Sequence, residues 1–252
     1  MWRRKKAMTK ASPRSRPFAT SLVAGLAALA IAGAVAGAEP SGTVTHLSGT
    51  LAVKRADGST RILSQRSEVH EGDLLVTAGD SYARVKFVDG SEVTLRPDSQ
   101  FQIETFKFEA GRPEADSALF RLIKGGLRSV TGALAKRNRD NLRVITATAT
   151  VGIRGTIFGA LQCANDCGGI PTPSGRAPEN GLHLDVSEGS IVVTNNAGSR
   201  EFTAGQFGYV QSTNSLPAIV PQDQAPKPPA PPERFEAGRA GVGKAGTAAC
   251  TI

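Results

Sequence analysis

Histidine and cysteine are nearly missing from this chain, with three of each in 252 residues. A structural zinc site takes about four such ligands at short spacings. Cys163 and Cys167 lie close together, but His46, His70 and His183 show no spacing that would complete a set with them. No metal and no other cofactor is therefore expected. Catalytic groupings are lacking as well. No Ser-His-Asp, Cys-His or paired-carboxylate arrangement stands out, and His183 and Asp185 share a strand face without a nucleophile in sequence reach. The chain is expected not to be an enzyme. Aromatic residues are scarce too, at 5%, whereas glycine is abundant and Val, Ile and Thr recur in short bursts. That mixture suits many short strands joined by turns.

Acid is absent from the first seventeen residues, which carry Arg3, Arg4, Lys5, Lys6, Lys10, Arg14 and Arg16. An uncharged segment, 18–38, follows and ends in Ala36-Gly37-Ala38. A basic head, an apolar middle and a small-x-small exit make a secretory signal peptide over residues 1–38. The rival reading is an uncleaved anchor, because about 20 apolar residues can span a bilayer. Cleavage before Glu39 is preferred, and a membrane role would then arise only from an unprocessed leader. Removing the leader lowers the formal charge from +8 to near neutrality, leaving 23 basic against 22 acidic residues. The basic pI thus belongs to the export signal, and no nucleic-acid partner is expected.

Beyond residue 40 the pattern is strand, turn, strand. "LAVKRADGSTRIL" and "YARVKFVDGSEVTL" each place Asp-Gly between two apolar bursts. In the second, Ala83, Val85 and Phe87 must share a face with Val93 and Leu95, which requires an odd loop. A three-residue loop with Gly90 left-handed meets that requirement. "GTLAVKRADGS" is echoed by "GSIVVTNNAGS", with the turn glycine at the same offset. In "SALFRLIKGGLRSVTGALAKRNRD" the glycines oppose a continuous helix, so strand, Gly-Gly bend, strand and exposed basic loop are expected. "CANDCGGIPTPSGRAPENG" is an exposed insertion, and in an exported protein Cys163 and Cys167 are expected to form a disulfide at its base, with Cys250 free. From Pro217 onward the chain is proline-dense and reads as a disordered, extended tail. The predicted fold is all-β, with stacked antiparallel sheets in a roll- or solenoid-like sandwich of short hairpins. It occupies 41–216, with the tail at 217–252.

Four segments in order resemble the FecR domain, an extracytoplasmic module of bacterial regulatory and envelope proteins. They are "EGDLLVTAGDSYARVKFVDGSEVTLRPDSQFQI", "FRLIKGGLR", "VITATATVGIRGTIFGA" and "VSEGSIVVTNNAGSREFTAGQ". The resemblance implies an exported binding or sensing module in the periplasm or at the cell surface. Its partner would be an envelope protein or an anionic envelope component. The alternative is a structural or surface-assembly role in the envelope. In iron-signalling members a cytoplasmic anti-sigma region precedes the membrane helix, and the seventeen residues before the apolar segment do not match it, so a sigma-regulating role is not carried over.

The family box Gly152, Ile153, Arg154, Gly155 and Thr156 is expected to be structural. Ile145, Ala147, Ala149, Val151 and Ile153 would form one face of its strand, with threonines on the other. Gly152 and Gly155 would permit a bend, and the guanidinium of Arg154 would satisfy the carbonyls stranded there. An outward contact to an anion or a partner carboxylate is the other reading of Arg154. Lys136, Arg137 and Arg139 form a basic loop that either faces solvent or meets an anionic partner.

Overall fold

The computed structural model describes residues 39–226 apart from 110, 139 and 140. The leader, Arg139, Cys250 and the chain from 227 onward lie outside the described residues.

The N-terminal bursts give β1 (Gly42–Ser48), β2 (Leu51–Lys54), β3 (Thr60–Leu63), β4 (Glu68–Val69), β5 (Leu74–Thr77), β6 (Tyr82–Phe87), β7 (Glu92–Leu95) and β8 (Gln100–Lys107). A 3-10 turn at Pro113–Ala115 leads into β9 (Ser117–Val130), then α1 (Ala133–Arg137) and β10 (Leu142–Ile145). The remainder is β11 (Thr150–Cys163), β12 (Gly181–Asn195), β13 (Gly198–Thr203), β14 (Phe207–Val210) and β15 (Ala218–Val220). All belong to one continuously hydrogen-bonded sheet. The fold is all-β, as expected, although β10 runs parallel to β9. A parallel neighbour needs a crossover, and α1 lies on it. No helix among the described residues is long and apolar enough to cross a membrane.

Both Asp-Gly hairpins close through three residues. Phe87 N–H donates to Ser91 O at 2.9 Å and Gly90 N–H to Phe87 O at 3.0 Å, with Gly90 at φ 82°. Arg55, Ser59 and Gly58 repeat that arrangement, with Gly58 at φ 83°. The register sets Val85 opposite Val93 and Ala83 opposite Leu95, so both apolar sets face the core. The echo "GSIVVTNNAGS" is built differently. Asn195 pairs with Gly198 across a two-residue loop, so the shared spacing is not a shared turn.

β9 passes through Gly125 and Gly126, with Gly125 at φ 76°, and changes neighbour there from β8 to β7. The expected strand, bend, strand is present. The stretch beyond it is not a plain exposed loop, because α1 forms and buries Leu134 and Ala135. "VITATATV" is also not one strand. The chain reverses between β10 and β11, with Thr146 N–H donating to Ala149 O at 2.9 Å. The Thr146 hydroxyl donates to Ala149 O at 3.0 Å and accepts from the Thr148 and Ala149 N–H groups. A threonine hydroxyl here substitutes for the glycine or proline that usually marks a turn. As a result Thr146 and Thr148 are buried and Ala147 is exposed, the reverse of the predicted faces.

The few aromatics gather in the core. Phe87 lies 5.0 Å from both Phe106 and Phe120, and Phe101 lies 5.2 Å from Phe120, centroid to centroid. The Cys163–Cys167 disulfide is present, with Cα atoms 5.6 Å apart, and packs with Leu161 and Ile170 in a small cluster of its own. Ordered structure continues past residue 216, since β15 pairs with β14 and Ala225 is buried.

Candidate functional site

β11 and β12 run antiparallel until the register breaks. Arg154 faces Ser190 and Ile157 faces Glu188, so Gly155 and Thr156 together oppose Gly189 alone. This is a bulge, and both glycines are left-handed, Gly155 at φ 66° and Gly189 at φ 72°. Gly189 has a second constraint, because a Cβ there would lie 2.3 Å from the Gly155 carbonyl oxygen. A Cβ on Gly155 would meet nothing. The bulge is also where β11 changes its other neighbour. Before it, Gly152 pairs with Arg143 of β10; after it, Ile157 pairs with Val130 of β9.

Threonines satisfy the backbone at this break. Thr156 N–H donates to Thr131 Oγ1 at 2.9 Å, and Thr131 N–H donates to Thr156 O at 3.2 Å. The Thr156 hydroxyl donates to Glu188 O. Arg154 takes no part. Its neighbour Ile153 is 1% exposed, and strand alternation turns Arg154 outward into solvent. It makes no hydrogen bond or ion pair with any described residue, so the expectation of a carbonyl-satisfying arginine is corrected. Gly152 is not at a positive φ, and a Cβ there would meet Val192 O at 3.6 Å, an ordinary contact.

The D-G-S hairpin positions the opposite wall. Asp89 O accepts Ala133 N–H at 2.9 Å, and Asp89 Oδ2 accepts Leu134 N–H at 3.3 Å. The other carboxylate oxygen receives Ser91 N–H at 2.9 Å and the Ser91 hydroxyl at 2.6 Å. Thus Asp89, 7% exposed, seats α1 on the turn between β6 and β7. Gly132 is needed for that seat, since a Cβ would stand 2.5 Å from Asp89 O. The predicted basic residues then part company. Lys136 is exposed and lines one cleft together with Arg154. Arg137 turns away, lying 3.7 Å from Asp116 Oδ2 and 5.0 Å from the centroid of the Phe108 ring.

The cleft holds about 400 Å³. Lys136, Arg154 and Glu188 line it as charged groups, with Thr131 and Thr156 beside the bulge and Val130 and Ile157 as half-buried apolar surface. Sequence reasoning did not find Thr131 or the Glu188 wall. Their signals were local: a threonine just after β9, and the glutamate heading the E-G-S return.

His183 and Asp185 lie near one another on β12 but have different partners. His183 stacks on Tyr209 at 4.8 Å and donates from Nε2 to Glu179 O at 2.8 Å, and burial holds its pKa below the usual imidazole value. Asp185 instead faces Arg128 Nη1 at 3.6 Å.

Residues 73–192, just under half of the chain, match the FecR protein family. Two structures of a protein described as an anti-sigma factor from Parabacteroides distasonis are 16% identical, with TM-scores of 0.43 and 0.42. The match covers 60% of this chain and 60% of theirs. A cell surface anchoring domain is 29% identical over 25% of this chain and 82% of its own length, with a TM-score of 0.24. No curated protein matches the chain. The matched segment holds the aspartate of the G-D turn, the D-G-S hairpin that seats α1, the I-R-G-T bulge and the start of the E-G-S return; over residues 73–192 the chain carries a match to the FecR domain.

Proposed function

We propose that this FecR domain is a non-catalytic binding and sensing module of the bacterial cell envelope, exported to the periplasm or cell surface. Its partner would be an envelope protein that docks at the cleft between α1 and the β11 bulge. The observation that carries this reading is the placement of Arg154. It is the one charged residue of the family box, it bonds nothing among the described residues, and it is displayed beside a bulge that needs two left-handed glycines. A core-facing role would leave that charge without purpose, whereas an outward contact uses it. The cleft contributes cations, one carboxylate and two threonines already bonded at the backbone. Such a set recognises a ligand without activating a nucleophile. Export is supported by the leader of the sequence, and the disulfide suits an oxidising compartment.

The test places a photo-crosslinking amino acid at Ile157 in intact cells, with Ile62, 68% exposed on β3, as the control position. An adduct with one envelope protein at Ile157, absent at Ile62 and lost in Arg154→Gln, is the expected result. Recovery of the chain only in the cytoplasm, or equal adducts at both positions, would refute the proposal.

A further inference from the structure

The chemistry of the cleft names its ligand, given the reading of the cleft as a partner site. Three donors line it without acceptors among the described residues. Lys136 and Arg154 are exposed and form no ion pair with any described residue, and Thr131 accepts from Thr156 N–H while its own hydroxyl hydrogen has no described taker. A hydroxyl carries one donor besides its acceptor sites, so Thr131 still has a proton to offer. Three donors around one space call for an anion. Glu188 limits the charge of that anion, because it stands in the same cleft and offsets one of the two cations. The net balance of one positive charge suits a monoanion. A phosphate monoester, at about −1.5 to −2 near neutral pH, would be pressed against Glu188. A guanidinium also matches the planar geometry of a carboxylate with two parallel hydrogen bonds. The cleft, at about 400 Å³, is far larger than a carboxylate alone, and Val130 and Ile157 give it apolar flanks.

We infer that the cleft binds a peptide carboxylate, carried by an acidic side chain or by a chain terminus, with an apolar residue next to it. Arg154 holds the carboxylate in two-point contact, Lys136 and Thr131 complete its coordination, and Glu188 excludes dianions.

Fluorescence anisotropy on the full chain tests this with three labelled pentapeptides of glycine and valine. The first has a central glutamate and an amidated end. The second has glutamine there, and the third is the glutamine peptide with a free terminal carboxylate. Binding of the first or third but not the second is expected, and which one binds assigns side chain or terminus. Arg154→Gln should weaken that binding by about tenfold or more, with Arg154→Lys between it and the parent, at unchanged melting temperature. Glu188→Gln should tighten peptide binding and allow inorganic phosphate to compete. Equal binding of the glutamine peptide, or no loss in Arg154→Gln, overturns the inference. So does phosphate outcompeting peptide on the parent protein, or preferential binding to phosphatidylglycerol vesicles. If an Ile157 crosslink forms while no peptide binds, the partner site stands and the carboxylate assignment alone fails.

Discussion

Each strand residue faces the side opposite to its neighbours, and at Ile153 and Arg154 that rule decides more than the chemistry of either side chain. Ile153 alternates with Arg154 and shares a face with Val151, and burial of that face turns Arg154 outward. A carbonyl-satisfying pin at Arg154 is not needed, because the Thr156 hydroxyl donates to Glu188 O and the Thr131 hydroxyl accepts the Thr156 N–H. Arg154→Ala and Arg154→Lys should therefore change unfolding stability in urea by less than about 0.5 kcal/mol, as exposed substitutions usually do. A clear loss in either would restore the pin. The two glycines of the bulge should behave unequally. Gly155→Ala meets open space and should cost only the left-handed conformation, about 1–2 kcal/mol. Gly189→Ala must also displace the Gly155 carbonyl and should cost distinctly more, measured in the same urea series.

Local turn chemistry was legible where it used the usual residues. The Asp-Gly loops, the Gly-Gly bend in β9 and the Cys163–Cys167 clip could all be read before any coordinates, because each depends on residues a few positions apart. The turn at Thr146–Ala149 was hidden by a perfect alternation, since a threonine hydroxyl closes it and nothing in the pattern marks the reversal. α1 was hidden for another reason. Five residues carry little helical signal, and its support comes from Asp89, more than forty positions earlier. Asp89→Ala should unseat α1, destabilise the domain by about 1–3 kcal/mol through its unpaired donors, and weaken peptide binding at a cleft it does not line; anisotropy and urea unfolding on one variant check both. The start of β12 supplies a pH test. His183 is buried and its pKa is lowered, so the unfolded chain takes up a proton first as pH falls. Its contribution is complete above the ordinary value of about 6.5 and is lost progressively as the solution becomes more acidic. His183→Gln should flatten the stability profile on the acid side of neutrality. A parental slope in that variant would assign the effect elsewhere.

At the scale of the molecule the sequence indicated an all-β chain but not how its strands join. Partner choice across a sheet depends on pairings far apart in sequence, such as β1 with β6 or β10 with β9, which no local pattern encodes. The same difficulty misplaced the end of the ordered chain. β15 reads as the start of a proline-rich tail, yet it adds to β14, and Ala225 beyond it packs inward. Limited proteolysis should therefore leave a resistant fragment whose end lies beyond Ala225, and trimming to Pro217 would contradict the pairing. The disulfide stands apart from this core with Leu161 and Ile170, so reduction should loosen residues 164–180 without unfolding the sheet.

The exchange of neighbours along β11 sets an order in time. Hairpins such as β2 with β3 and β6 with β7 can close within about 1–10 μs, because their partners are adjacent. β11 can close on β10 through the Thr146–Ala149 turn, but it must wait for β12 and for a β9 already threaded past its two glycines. Sheets assembled from such distant pairings usually take milliseconds to seconds. Through that interval a fourteen-residue strand with open edges is available to another chain in the same condition. Refolding yield should consequently fall as protein concentration rises, and light scattering during dilution from urea would show the competing association.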